Sequence, residues 1–366
     1  MNFVVSTPLY EAIRAQNHEL VFVRGPGTTG REVVTSKEET VGESATRKWI
    51  LGALSVGTVL GGVWIYRAYR RDLRAARQRV AAGRHVLETD LGPLEYGIAG
   101  HGPPALVIHG AGGGYDQGLL LGEFILGDEF TTIAPSRFGY LGTPIPEEPT
   151  LAAQADAFAH LLDELGVERA IVVPISAGGP PGLEFALRYP ERTEALVMTS
   201  AISLAGDPEV DDEQRTEIIN RIVGSDLVYW LAMKVARRPL LSLLGVSPQV
   251  QARLAPDQMA YADRILEEML PMSERMPGIL LDQSRVLPRD YPIEEIAAPT
   301  LVIHARDDAL VDFANGQHTA DAIPDAEFIV LEDGGHFLMG HFEQLREQVD
   351  EFLNRKLLSY PDIEED

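Results

Sequence analysis

Residues 172–179 read Val172-Val173-Pro174-Ile175-Ser176-Ala177-Gly178-Gly179. An apolar run, Ala170–Val173, leads into Ser176, small residues follow it, and Leu183–Tyr189 has helical character. This order predicts a buried strand, a sharp turn and a helix, with the Ser hydroxyl exposed on the turn. A Ser held in this way usually lies in the pattern G-x-S-x-G, and here Pro174 stands where the first Gly is expected. Proline adds bulk and removes an N–H, but at the last residue of a strand a lost ladder bond matters least. Pro180 and Pro181 fall in the first turn of the following helix, where N–H groups lack an intrahelical acceptor in any case. The turn is expected to form, with some strain.

The same strand–helix rhythm extends outward from the octet. From Arg84 onward, strands are expected at Val86–Thr89, Glu95–Ile98, Ala105–His109, Thr131–Ala134, Ala170–Val173, Ala195–Thr199, Thr300–His304 and Glu327–Leu331. Leu151–Leu165, Pro181–Tyr189 and Phe342–Leu357 have helical periodicity. Alternation of this kind predicts an α/β fold: a mostly parallel central sheet of about eight strands with helices on both faces. Ile202 to about Ile296 breaks the rhythm, being helical, strand-poor and rich in Met, and reads as a cap inserted between two strands.

A Ser is a poor nucleophile without a base to take its proton and an acid to orient that base. Both are offered downstream, each just past a strand. Arg306-Asp307-Asp308-Ala309-Leu310-Val311 supplies a carboxylate, and Asp333-Gly334-Gly335-His336-Phe337 supplies an imidazole. The order Ser176, Asp308, His336 is Ser…Asp…His. An oxyanion would need two backbone N–H groups, worth roughly 3–4 kcal/mol each. Ala177 is one candidate. Ala111, in the loop His109-Gly110-Ala111-Gly112-Gly113-Gly114, is the other, with Gly112 as runner-up. These glycines lack the G-x-x-x-x-G-K-[ST] context of a phosphate loop. Gly112, Tyr140 and Trp230 are candidate substrate-binding residues. His304, His318 and His341 read as strand, surface and helix residues, and no spacing of His and carboxylates suggests a metal site.

Residues 84–357 resemble the α/β-hydrolase superfamily, in its cap-bearing esterase and C–C-bond hydrolase branch. The matching pieces are His109-Gly110, Pro135-Ser136-Arg137-Phe138-Gly139-Tyr140, the Ser176 turn, Pro299-Thr300-Leu301-Val302-Ile303, Asp308-Ala309-Leu310-Val311 and Gly335-His336. The resemblance implies the α/β-hydrolase fold, Asp308 rather than Asp307 as the orienting acid, and a structural His109 holding the oxyanion loop. A Ser nucleophile also argues against the family's dehalogenases and epoxide hydrolases, which use Asp there. The chain departs from the family at Ser136-Arg137, where an Asp usually follows the Pro, so this loop must find other inner contacts. The resemblance implies no cofactor and no metal.

Upstream, Trp49–Tyr66 is 18 residues without a charge, and about 17–25 apolar residues can span a bilayer. Arg67, Arg70, Arg71, Arg74, Arg77 and Arg79 follow it. A single-pass membrane helix is expected, with the hydrolase-like part on the cytoplasmic side by the positive-inside rule. Ala53, Gly57 and Gly61 form a small-xxx-small face that could pair two such helices into a homodimer. Residues 1–48 read as a polar tail with a short helix near Tyr10–Gln16 and no basic start suggesting a cleaved signal. Residues 67–83 then form a basic juxtamembrane segment, 84–202 and 295–357 the core, 203–294 the cap, and 358–366 an acidic tail.

Composition narrows the partners. A net charge of −24 argues against nucleic acid, and the absence of Cys removes disulfides, thiolate metal sites and a Cys nucleophile. The expected activity is that of a membrane-anchored serine hydrolase taking a carboxylic ester or related acyl substrate, lipophilic in character. The alternative is a non-catalytic protein of the same fold that binds a ligand or partner.

Overall fold

Successive residues of the central strands face opposite sides of one sheet, as the two-residue period of a strand requires. Leu106, Ile108, Val172 and Leu196 join one buried cluster, while Ala105, Val107, Ile171, Val173 and Val197 join another. The computed structural model describes residues 41–204, 213–284, 287–288 and 291–356. The sheet has eight strands: β1 (His85–Thr89), β2 (Gly92–Ala99), β3 (Pro104–Ile108), β4 (Thr131–Pro135), β5 (Ala170–Pro174), β6 (Thr193–Thr199), β7 (Thr300–Ala305) and β8 (Glu327–Leu331). Their order is β1-β2-β4-β3-β5-β6-β7-β8. Only the β1–β2 and β2–β4 pairs are antiparallel.

Helices close both faces. One cluster is completed by Phe158, Leu161 and Leu162 of the helix Leu151–Glu164 and by Leu183, Phe185 and Ala186 of the helix Gly179–Arg188. The other is completed by Leu121 and Ile125 of the helix Tyr115–Ile125 and by Leu345, Val349, Phe352 and Leu353 of the helix Phe342–Lys356. Each large apolar side chain buried here contributes about 1.5–3 kcal/mol. Because β3 pairs directly with β5, the loops leaving these two strands emerge side by side at the carboxyl ends of the sheet. That edge is where open α/β sheets place their ligands. Six α-helices among the described residues of 213–284 stand between β6 and β7 and form the inserted cap.

The chain divides into two units, Met1–Gly61 and Gly62–Asp366. A 42-residue helix, α1 (Val41–Ala82), runs through the division. Within the second unit its last turns bury Leu73, Ala76 and Val80. Arg79 donates to Asp116 at 2.8 Å and to the Leu270 carbonyl at 2.8 Å, and Arg77 pairs with Glu274.

Among the described residues no helix is long and apolar enough to cross a membrane. This corrects the expectation of a single-pass span at Trp49–Tyr66 and of a membrane localisation, and it leaves the cytoplasmic placement and the helix-mediated homodimer without support. Freedom from charge is not apolarity: Gly52, Ser55, Gly57, Thr58, Gly61 and Gly62 interrupt the stretch. The arginines that suggested a juxtamembrane segment include Arg77 and Arg79, which serve carboxylates and carbonyls of the protein itself. The helix also begins at Val41, inside the stretch read as a polar tail. The expected short helix near Tyr10–Gln16 and the acidic tail at 358–366 lie outside the described residues.

Candidate active site

Ser176 follows β5 by one extended residue and has φ 55°, a left-handed conformation uncommon for a side chain-bearing residue. Such strain persists only where the surroundings enforce it, and it turns the hydroxyl out of the strand–helix corner. A 3₁₀ turn, Ser176–Gly178, passes straight into Gly179–Arg188, with Pro180 and Pro181 in its first turn. Pro174 is the last residue of β5, and the ladder resumes at once, Ile175 N–H donating to the Ile108 carbonyl at 3.0 Å. The bulk of its ring is accommodated one helix turn away: a Cβ on Gly182 would lie 2.5 Å from the Pro174 Cβ. The room that a Gly in the strand would leave has moved to a Gly in the helix. Gly182→Ala should therefore destabilise the chain by about 1–3 kcal/mol through overpacking, despite the better helix propensity of Ala. Urea unfolding checks this, and adding Pro174→Gly should recover most of the loss.

The hydroxyl of Ser176 donates to His336 Nε2 at 2.9 Å, and His336 Nδ1–H donates to Asp308 Oδ2 at 2.8 Å. His336 and Asp308 are both buried. The three side chains leave β5, β7 and β8 at the same end of the sheet. Of the neighbouring carboxylates, Asp308 meets the imidazole. Asp307 instead accepts the Gly335 N–H at 2.8 Å and shapes the turn before His336. Burial pushes the Asp308 carboxyl up. The neighbouring His336, the hydrogen bonds of His304 and His336 and the Val311 N–H outweigh that effect and hold it well below the usual carboxylate range. A depressed group stabilises the fold above its ordinary titration range and loses that contribution as pH falls toward its folded value.

Gly110–Gly113 forms a tight turn closed by Gly113 N–H to the Gly110 carbonyl at 3.2 Å, with Gly112 at φ 74°. Positive φ at the third position is the demand that Gly meets in such turns. Ala111 is the exposed second position of the turn, and its N–H takes no part in the closing bond. The loop lies against the Ser: a Cβ on Gly110 would stand 2.8 Å from the Ser176 Cβ. The runner-up Gly112 has its N–H beside the Tyr140 hydroxyl. His109 pins the start of the loop. Its Nδ1 bonds the Gly110 carbonyl at 2.7 Å and its Nε2 accepts the Arg137 N–H at 3.0 Å, the pattern of a neutral ring. Burial, then the Arg137 charge, depress its basicity well below that of a free imidazole.

The unusual Ser136-Arg137 loop finds its inner contacts in the cap. Arg137 is buried and makes two 2.7 Å bonds to Asp282 of the helix Met276–Ser284. The Tyr140 hydroxyl donates to the same carboxylate at 2.5 Å, and its ring meets His109 edge-on at 4.7 Å. Tyr140 thus spends its polar atom supporting the loop. Trp230 is the one expected site residue that is not brought to this cluster. Its indole N–H donates to Asp72 of α1 at 3.0 Å, and its ring packs edge-on against Tyr69. Sequence reading missed Gly182, Asp282 and Met269, whose methyl sits where a Gly112 side chain would go. No periodic signal marks a cap residue that touches the core. Among the described residues no group of His, Asp and Glu is arranged to hold a metal ion.

A family model described as the alpha/beta hydrolase fold matches residues 103–340. The chain is 30% identical over 262 residues to the uncharacterized hydrolase YcgS of Bacillus subtilis, covering 68% of this chain and 90% of that one. It is 27% identical over 298 residues to 2-hydroxymuconate semialdehyde hydrolase of Pseudomonas putida, covering 77% of this chain and 97% of that one. Among solved structures, an alpha/beta hydrolase fold protein from Nakamurella multipartita superposes with a TM-score of 0.60 at 27% identity, covering 74% of this chain and 98% of that one.

Proposed function

The chain belongs to the α/β-hydrolase fold family, and on that premise we propose that it is a serine hydrolase that cleaves a carboxylic ester or related acyl compound through an acyl-enzyme. The observation that carries this reading is the unbroken hydrogen-bond chain Ser176–His336–Asp308, with the Gly110–Gly113 turn packed against Ser176. Ser176 Oγ attacks the acyl carbonyl while His336 Nε2 takes its proton. Asp308 holds the imidazolium in place, and the N–H groups of Ala111 and Ala177 receive the oxyanion. His336 then returns the proton to the departing alcohol. Water repeats the cycle from the other side, with His336 again as base, and frees the acid.

The non-catalytic alternative rested on Pro174 and on the expected membrane span, and no described helix is long and apolar enough to make that span. The accommodation of Pro174 by Gly182 and the joined triad also speak against that alternative. A second reading, cleavage of a C–C bond beside a carbonyl, draws support from the likeness to the Pseudomonas putida enzyme over nearly all of that chain. The test is direct. The full chain should hydrolyse p-nitrophenyl butyrate and take up a fluorophosphonate probe at Ser176. If it does neither, the proposal fails. If the probe labels Ser176 but a panel of esters is inert, the C–C reading takes precedence.

A pH profile follows from the Asp308 environment. Because this carboxyl is held below its ordinary range, it should stay ionised well into the acid range. kcat/KM should therefore rise with pH along a limb of one proton rather than two. A slope of two protons on the acid side would show that Asp308 titrates as well.

A further inference from the structure

His304, read from sequence as an ordinary strand residue, lies directly behind the proposed triad. It sits in β7, fully buried, four residues before Asp308. Its Nε2 is 3.0 Å from the Val311 carbonyl and 3.3 Å from Asp308 Oδ2. Both neighbours are acceptors, so Nε2 carries the hydrogen. Nδ1 is buried with no hydrogen-bond partner among the described residues. The ring is clamped by Phe313, edge-on at 5.9 Å, and by the backbone of Gly316, where a Cβ would stand 2.8 Å from Nδ1.

Asp308 Oδ1 accepts the N–H groups of Leu310 at 2.8 Å and Val311 at 3.0 Å. Oδ2 accepts the His336 Nδ1–H at 2.8 Å and lies 3.3 Å from His304 Nε2, whose hydrogen bonds the Val311 carbonyl and faces Oδ2 as a second, longer contact. Asp307 turns to the Gly335 N–H, and Arg306 lies toward Glu332 and the Phe313 ring. The His336 ring otherwise faces the Ser176 hydroxyl and the ring of Phe337, while its backbone N–H is held by the Gly245 carbonyl at 3.1 Å.

We propose that His304 is a positioning residue for the hydrolytic triad: its Nε2–H, 3.3 Å from Asp308 Oδ2, steadies that oxygen and withdraws part of its charge from His336. The inference rests on the serine-hydrolase reading above. Without the His304 N–H, Asp308 grips the imidazolium more tightly. The His336 ring then keeps its proton to higher pH, and less of it is free to accept the proton of Ser176. A residue that merely filled space would change the amount of folded enzyme without moving this balance.

The experiment compares His304→Phe and His304→Asn, which lose or misplace the donor, with His304→Gln, whose amide reaches the same acceptor. In the full chain the acid-limb midpoint of kcat/KM should move up by about half to one pH unit in Phe and Asn. At pH 6 turnover should fall about three- to tenfold, recovering as pH rises past 8. Gln should return the midpoint to the wild-type value. The C2-proton resonance of His336, assigned by its loss in His336→Gln, should titrate with the same shifts. That readout needs no turnover, so an inert protein would count against the hydrolase reading and leave this test standing. Should His304→Phe fail to fold, His304→Asn decides. A midpoint that stays put in Asn, or moves equally in Gln, overturns the proposal.

Discussion

Ser176→Ala should lower kcat on an activated ester by about ten-thousand- to a million-fold with little change in KM. The hydroxyl is the only atom removed. It is partly exposed, its one side-chain partner among the described residues is His336, and the turn that carries it is set by backbone contacts at Ile108, Ile175 and Ile202. The variant should therefore unfold in urea within about 1 kcal/mol of the parent. Any remaining rate would come from the Ala111 and Ala177 N–H groups acting on water attack. His336→Ala should cost nearly as much, and combining the two should add little, because the residues act as one unit. Fluorophosphonate labelling should vanish with the hydroxyl. A Ser176→Ala protein retaining a tenth of the activity would place the nucleophile elsewhere.

The second large effect is on stability. Asp282→Ala should cost about 3–5 kcal/mol, the range found when one partner of a buried ion pair is removed. Arg137 is 2% exposed and its guanidinium has two bonds to that single carboxylate. Burial opposes its charge and Asp282 restores it, so the lone cation would remain in an apolar site with nowhere to turn. Tyr140 would lose its acceptor in the same step. Replacing both partners, Arg137→Met with Asp282→Leu, should recover most of the loss, because an apolar pair of similar volume needs no compensation. The measurement is the urea midpoint at constant m-value. A loss below about 1 kcal/mol would mean that water reaches Arg137 and that the pair is not closed.

The strands were legible because their signals are local. All eight appear where runs such as Ala170–Val173 and Thr300–His304 place them, within two or three residues. The inserted helices were legible as a break in rhythm. Two short helices, Tyr115–Ile125 and Ala314–Ala322, were not, since their glycines and polar residues blur the period. Ser176, Asp308 and His336 could be picked out because each follows a strand. Their joining depends on β5, β7 and β8 pointing the same way, a property of the whole sheet. The membrane helix was misread because absence of charge over Trp49–Tyr66 was weighed above its glycines. The arginines after it gave no hint of their internal partners. Arg137–Asp282 and Trp230–Asp72 join residues more than a hundred positions apart, and nothing in either local pattern announces the other.

The fit of Pro174 against Gly182 bears on how such turns are searched for in other chains. A filter that insists on one letter two places before the Ser would discard this protein as degenerate. What the corner requires is a ceiling on combined volume across two facing positions, eight residues apart, either of which can be the small one. A rule written on that sum would admit sequences now passed over. It would also still exclude those in which both positions are large, where the strand and helix could not close on the Ser.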